Sequence, residues 1–270
     1  MRTSFISAIL LLAFSLTGMA QENTDWVKLN LKAAVKSIKA TEYDMSETSG
    51  EDKTIRHEYV FNKNGYKTQE LMREGFNTKI NSTYKYSASN ELTEETSKLV
   101  KSTSKRKYTY DKKNNSSVVN YYVANNVLIT KTNQKHDANG NVTERLIHNI
   151  RDGKSSLVES YWYKYDDNNN LIEEIQRLDT TNIKIEYKYN DKGQLEGRTD
   201  YDAKGLPTYW YTYKYDDLGN VIEEVSAYRG YDKTIFQYVY VYDEKNNWIE
   251  RREQVEGKTR ILSRRVISYF

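Results

Sequence analysis

Aromatic and polar residues alternate along several short segments of the chain. Residues 209–215 read YWYTYKY, and residues 161–165 read YWYKY. Side chains on a β-strand point alternately to the two faces of a sheet, so this two-residue period predicts strands with one tyrosine-rich face. The opposite face carries lysine in several copies and is therefore expected to face water; these residues are Lys85, Lys164, Lys188 and Lys214.

The alternating segments recur at a nearly regular spacing. Residues 163–174 read YKYDDNNNLIEE, and residues 213–224 read YKYDDLGNVIEE. With the second aromatic position of each copy taken as its anchor, successive anchors are 24 to 29 residues apart. The anchors are Phe61, Tyr86, Tyr110, His136, Tyr165, Tyr189, Tyr215 and Tyr242, followed by Tyr269 in a final half-copy. Such self-similarity is typical of repeat proteins, whose units stack to bury a shared face.

Each anchor is followed by residues that favour a tight turn. The next residue is Asp, Asn or Ser in all eight copies, and the fourth residue after the anchor is Gly or Asn in all eight. Short polar side chains can accept a hydrogen bond from a backbone N–H two residues on, and Gly and Asn tolerate a positive φ. The spacing predicts a three-residue hairpin loop, made of a type I turn and a G1 bulge.

The turn also predicts which residues face each other across the hairpin. The anchor is expected to lie opposite the sixth residue after it, as Tyr215 opposite Val221. Tyr213 is then expected to pair with Glu223, a phenol beside a carboxylate. The predicted fold class is all-β, with antiparallel hairpin repeats of about 25 residues forming a twisted, superhelical sheet.

Composition agrees with a long hydrogen-bonded sheet and excludes several functions. The chain has 25 Tyr and one Pro, the residue that cannot donate to a β-ladder. It has no Cys, which excludes disulfides, thiolate metal sites and cysteine nucleophiles. The net charge is +3, from 41 basic and 38 acidic residues that are interspersed, so we expect no binding to nucleic acid.

The N-terminus has the pattern of an export signal. Arg2 precedes a short apolar run, and small residues precede Gln21, which predicts a signal peptide over residues 1–20. The mature chain is expected in the periplasm, at the cell surface or secreted, without insertion into a membrane. Residues 21–56 are expected to form a cap with a short helix or strand and a first half-repeat, and residues 57–270 to form the hairpin array.

The tip segments resemble a known repeat. YKYDDLGN, YKYDDNNN, YVYDEKNN, YTYDKKNN and YKYNDKGQ are similar to YD repeats, also called RHS repeats, and the similarity covers about residues 57–270. In the large members, toxin-delivery RHS proteins and teneurins, such repeats build a spiralling β-sheet shell. This chain has too few repeats for a large capsule and lacks the extended C-terminal block of the RHS core. The resemblance therefore implies a short exported bacterial YD-repeat protein.

The chemistry-bearing residues favour binding over catalysis. The Glu doublets at 173–174 and 223–224 place adjacent carboxylates on opposite strand faces, whereas glycoside cleavage needs two carboxylates that face each other. The three histidines are dispersed, without a metal-binding spacing. Turn chemistry explains the oxygen-rich tips at 166–170 and 216–220, since calcium requires six to eight oxygen ligands. We expect no enzymatic activity and no cofactor or metal.

The expected function is that of a non-enzymatic binding or interaction scaffold for an envelope protein. The alternative is a module that binds an extracellular glycan, and a third possibility, by analogy with RHS proteins, is a toxin-associated or immunity role. A continuous apolar patch would favour a protein partner, and an exposed aromatic row would favour a glycan. The candidate ligand residues are Trp162, Trp210, Trp248, Tyr163, Tyr213 and Tyr240. Trp162 falls on the face opposite the tyrosines and is expected to be exposed.

Overall fold

The computed structural model of the protein describes residues 24–45, 54–74, 78–178 and 181–270. The predicted signal peptide, residues 1–20, lies outside the described residues. In the described part of the chain, eighteen antiparallel strands form a single sheet, preceded by one short helix, α1 (Asp25–Lys28). A 3-10 turn, Ala124–Asn126, separates the seventh and eighth strands.

Each strand pairs with the next one in the sequence. The first nine are β1 (Val35–Asp44), β2 (Ile55–Phe61), β3 (Lys67–Glu74), β4 (Thr78–Tyr86), β5 (Leu92–Lys98), β6 (Thr103–Asp111), β7 (Ser116–Val123), β8 (Val127–His136) and β9 (Val142–Arg151). The others are β10 (Lys154–Tyr165), β11 (Leu171–Leu178), β12 (Thr181–Tyr189), β13 (Leu195–Tyr201), β14 (Pro207–Tyr215), β15 (Val221–Tyr228), β16 (Thr234–Tyr242), β17 (Trp248–Val255) and β18 (Lys258–Tyr269).

The sheet closes on itself. β1 pairs with β2 along one edge and with β18 along the other, where Ser37 lies opposite Ser268 and Asp44 lies opposite Ile261. The protein is therefore a closed up-and-down β-barrel, and the predicted twisted, superhelical sheet of hairpin repeats is wrong, although the all-β class is confirmed. The physical reason is that an open strip leaves backbone N–H and C=O groups unpaired at both edges, whereas closure pairs them.

The hairpin tips have the predicted geometry. In the tip after Tyr215, the backbone N–H of Asp216 donates to the carbonyl of Asn220 at 2.9 Å, and that of Gly219 donates to Asp216 at 3.1 Å. Gly219 has a φ of 81°, in the left-handed region that favours glycine. Tyr215 lies opposite Val221, as predicted. The type I turn with a G1 bulge is confirmed here.

Two further tips show where the sequence pattern was incomplete. After Tyr110, the positive φ falls on Asn115 and not on Asn114, one residue later than the pattern predicts. A turn of the same kind joins β13 to β14, where the N–H of Asp202 donates to the carbonyl of Leu206 at 2.9 Å. This connection lies at the opposite end of the strands, so the tip chemistry is used at both ends of the barrel.

The register beyond the tip differs from the prediction by one residue. Ile222 is an extra residue in the ladder, so that Tyr213 faces Glu224 and Lys214 faces Glu223. The predicted pairing of Tyr213 with Glu223 is wrong, because it assumed an unbroken ladder after the turn. The bulge moves Glu223 to the lysine face, where its carboxylate lies 2.8 Å from the ammonium of Lys214.

The tyrosine face lines the interior of the barrel. Tyr238, Glu224 and Ile185 on this face are 4%, 4% and 5% exposed. On the other face, the side chains of Lys164 and Lys214 are 69% and 71% exposed. A closed sheet encloses one face and presents the other to its surroundings, so the lysine face is the outer wall.

The anchor tyrosines connect neighbouring repeats. The hydroxyl of Tyr189 donates to the carbonyl of Leu171, one repeat earlier, at 2.9 Å, and that of Tyr215 donates to Leu195 at 2.7 Å. The same contact is made by Tyr86, Tyr110 and Tyr165. A buried phenol is thereby provided with a hydrogen-bond partner, which explains the preference for Tyr over Phe at the anchor.

An apolar cluster lies where the ring closes. Val35, Ile38 and Phe61 are 0%, 1% and 3% exposed and pack against Trp26 of α1. The indole N–H of Trp26 donates to the carbonyl of Val35 at 2.8 Å. The segment after α1 continues over the hairpin tips, where the N–H of Lys32 donates to the side chain of Asn247 at 2.8 Å. Within the described ranges, no helix has the length and apolar character needed to cross a membrane.

Candidate functional site

The outer wall is indented over the strands β10 to β14. The hollow has a volume of about 560 Å³. Residues from all five strands line it, and their outward side chains combine opposite charges with an indole. The lining includes Lys164, Glu173, Glu186, Lys188, Gly197 and Trp210.

Gly197 creates the floor of the hollow. It lies opposite Lys188 of β12 and Thr212 of β14, in the middle of the outer wall. A Cβ atom at this position would meet only the carbonyl oxygen of Tyr211 at 3.5 Å and the Cβ of Lys188 at 3.9 Å, both ordinary contacts. The backbone therefore does not require glycine at position 197. The absence of a side chain there leaves open the space of the hollow. A glycine inside a strand often marks the close approach of a ligand.

Trp210 forms one side of the hollow. It lies between Thr199 of β13 and Ala227 of β15 and is 37% exposed. An indole in this position offers a flat apolar face and an N–H donor to a molecule in the hollow.

Two carboxylates that line the hollow face each other. Glu173 of β11 lies directly opposite Glu186 of β12. Like charges in this position are destabilising, and here each is neutralised by a lysine: Lys164 lies 2.6 Å from Glu173, and Lys184 lies 2.7 Å from Glu186. Hydrogen bonds from Lys184 and then Tyr201 lower the pKa of Glu186, so it is ionised at neutral pH. The hollow thus holds fixed hydrogen-bond acceptors beside an aromatic face.

The predicted ligand residues are divided between the two faces of the barrel. Trp162 and Trp210 lie on the outer wall and are 36% and 37% exposed, in agreement with the expected exposure of Trp162. Trp248 lies on the inner face between Tyr240 and the guanidinium of Arg265. Tyr163 and Tyr213 also point inward, as part of the tyrosine face. Of the six, Trp210 lines the hollow.

Sequence reasoning missed Gly197 and Glu186. A glycine interrupting the alternating segment QLEGRTD was an available signal for Gly197, because an isolated glycine within a strand suggests close backbone approach. The approach of Glu186 to Glu173 depends on the pairing of β11 with β12, which requires the register between repeats.

The interior contains a pair of buried carboxylates. Glu224 and Glu253 are 4% and 7% exposed. Burial, and secondarily the charge of Glu253, raises the pKa of Glu224, although the hydroxyl of Tyr238 donates to it at 3.4 Å. A carboxyl whose folded pKa lies above its unfolded value favours the folded state at low pH, and this contribution is lost as pH rises.

Glu224→Gln is therefore expected to be more stable than the wild type at pH 8. The difference should disappear as the pH falls toward 4, because a protonated Glu and a Gln are then nearly equivalent. Urea unfolding at a series of pH values measures it. Glu196→Gln is the control, since Glu196 is on the outer wall with a 48% exposed side chain. A Glu224→Gln variant less stable than the wild type at pH 8 would contradict this assignment.

Neither a family model nor a curated protein matches the chain. Among solved structures, a porin-like protein from Bacteroides uniformis is similar with a TM-score of 0.51 and 11% identity, over 88% of this chain and 98% of that one. A porin-like protein from Bacteroides vulgatus has a TM-score of 0.29 and 12% identity, over 88% of this chain and 99% of that one.

A chain of TcdB2-TccC3-TEV is also found, with a TM-score of 0.28 and 11% identity. The match covers 77% of this chain and 15% of that chain. What these comparisons show is a fold shared with the Bacteroides uniformis protein. Membership of the YD-repeat family remains a prediction.

Proposed function

We propose that this protein is an exported, non-enzymatic β-barrel that binds an extracellular glycan in the outer-wall hollow beside Trp210. The observation that carries the proposal is an exposed indole that lines the same hollow as two ionic carboxylates and two lysines. Gly197, in the wall of this hollow, has no side chain to fill the space. A sugar ring has an apolar C–H face that stacks on an aromatic ring and hydroxyl groups that need donors and acceptors. Concave sites with a few placed polar groups are typical of small-ligand binding.

Charge on the outer wall supports an aqueous location in the envelope or outside the cell. Lysine–glutamate pairs recur at the same level of four hairpins: Lys85–Glu94 and Lys135–Glu144 at 2.8 Å, Lys164–Glu173 at 2.6 Å and Lys214–Glu223 at 2.8 Å. Lysine on the lipid face of a barrel costs about 2–4 kcal/mol at the bilayer midplane. We therefore assign the protein to the periplasm or the cell surface, in agreement with the predicted signal peptide.

The state of the carboxylates supports binding without hydrolysis. A glycosidase requires one carboxylic acid with a raised pKa to protonate the leaving group. In the hollow, the pKa of Glu186 is lowered, and Glu173 is ion-paired with Lys164. Both are acceptors, which suits them to holding sugar hydroxyls.

The proposal is tested by thermal unfolding with a panel of soluble polysaccharides and oligosaccharides. A ligand that binds the native state raises the unfolding midpoint with concentration. We expect one glycan class to do so, and Trp210→Ala to weaken its affinity at least about tenfold, or 1.4 kcal/mol. Trp162→Ala is the matched control, because Trp162 is equally exposed on the same wall but does not line the hollow. A flat response to the whole panel, or equal losses in both variants, would refute the proposal.

A protein partner is the second candidate, favoured by an apolar stripe on β16. Ile235, Val239 and Val241 point outward and are 38%, 48% and 49% exposed, and Ile222 of β15 is 38% exposed. Exposed apolar surface of this kind is typical of protein interaction sites. A partner whose binding is lost in Val239→Lys and kept in Trp210→Ala would favour this function.

A further inference from the structure

The inner wall carries two arginines that share one aromatic ring. The guanidinium carbon of Arg265 on β18 lies 3.3 Å from the ring centre of Trp248, and that of Arg251 on β17 lies 5.5 Å from it. Both side chains therefore converge on the same part of the interior. Opposite Arg265 is Ala40 of β1, which carries no polar side chain that could accept from the guanidinium.

The donors of these arginines are only partly used. Arg251 is 9% exposed, and its Nη2 lies 3.3 Å from Ser263 Oγ and 3.6 Å from a carboxylate oxygen of Glu42. Three further nitrogen atoms are buried and have no hydrogen-bond partner among the described residues: Nε of Arg251, and Nε and Nη1 of Arg265. Three buried N–H-bearing atoms thus lack an acceptor, although buried polar groups are normally hydrogen-bonded.

The electrostatics of the cluster are unfavourable without a further negative group. Burial, and then the charge of Arg251, lowers the pKa of Arg265 to about 9. Arg265 remains charged at neutral pH, and a buried charge without a paired counter-charge is costly. The acidic side chains facing the two arginines are Glu42 and Glu253, of which Glu253 is buried and has a raised pKa for that reason.

We propose that Arg265 and Arg251 bind a small oxyanion of the phosphate or sulfate type inside the barrel, against the face of Trp248. The guanidinium fork presents Nε and one Nη in a plane, which matches two oxygens of an oxyanion. The anion supplies the missing acceptors and the missing negative charge. The site is separated from the outer-wall hollow by the wall itself, so it does not depend on glycan binding.

The test compares unfolding of the full protein after refolding in phosphate or in chloride at equal ionic strength. We expect phosphate to raise the midpoint in a saturable way. Arg265→Gln should lose this increase. Arg264→Gln is the matched control and should keep it, since the neighbouring Arg264 points outward and pairs with Glu250 at 3.0 Å. Because general salt effects act on both variants, the difference between them isolates the site.

The proposal would be overturned by the absence of a phosphate-specific increase in the wild type, or by an equal increase in Arg265→Gln. If Arg265→Gln does not fold, Arg265→Lys keeps the charge without the fork and should lose most of the increase. As a readout independent of stability, the Nε–H resonance of Arg265 in the 15N-labelled wild type should shift with added phosphate. An unchanged resonance would also overturn the site. A phosphate-dependent increase of the unfolding midpoint that is equal in Arg264→Gln and Arg265→Gln would identify an adventitious ion only.

Discussion

Replacing Gly197 by Phe is expected to weaken glycan binding strongly while the barrel stays folded. A Cβ at this position makes only ordinary contacts, at 3.5 Å with the carbonyl of Tyr211 and 3.9 Å with Lys188. The ring would therefore extend from the wall into the hollow of about 560 Å³ that we assign to the ligand. Aromatic residues are also favoured in strands, so no loss of the fold is expected. Affinity should fall more than about tenfold.

Gly197→Ala separates blocking of the hollow from any effect on the strand. One methyl group fills little of the space, so most of the affinity should remain. Stability should rise by about 0.5–1 kcal/mol, because glycine within a strand costs conformational entropy. Titration calorimetry measures the affinity and urea unfolding the stability of both variants. A folded Gly197→Phe variant with wild-type affinity would exclude the hollow as the binding site.

A disulfide between positions 37 and 268 is expected to raise the free energy of unfolding by about 4–5 kcal/mol, the value for closing a loop of roughly a hundred residues or more. Ser37 and Ser268 lie opposite each other on β1 and β18, with their hydroxyl oxygens 2.7 Å apart. The chain has no cysteine, so the double variant Ser37→Cys/Ser268→Cys contains a single possible pair. Urea unfolding of the oxidised and reduced forms gives the difference, and equal stability of the two would contradict this prediction.

Local features of the fold were predictable from the sequence because the residues that determine them are close together. Asp216 and Gly219 specify the turn through a side-chain hydrogen bond and a positive φ, and the structure has that turn. The bulge at Ile222 was not predicted, since the sequence pattern is the same with or without an extra residue in the ladder. That single residue decides whether Glu223 faces the interior or the outer wall.

Closure of the barrel could not be predicted from the repeats. It depends on β1 and β18, which are far apart in the sequence and meet through pairs such as Ile38 with Ile267. The repeat pattern defines a strip of hairpins, and the twist and number of strands decide whether its two edges meet. Trp210 could be identified from the sequence as a candidate ligand residue, whereas the approach of Glu173 to Glu186 depends on the pairing of successive hairpins.

Closure of the barrel between β1 and β18 is tested by whether the 37–268 disulfide forms within one molecule. Closure defines which wall is exposed and where the hollow lies. The measurement is mass analysis under non-reducing conditions after mild oxidation of the double variant. Ser37→Cys/Ser156→Cys serves as the control, since Ser156 is on β10, which pairs with β9 and β11 and not with β1. The closed barrel predicts a complete intramolecular disulfide in the first variant and free thiols in the second. Free thiols in both, or only disulfides between molecules, would contradict closure and with it the assignment of the outer wall.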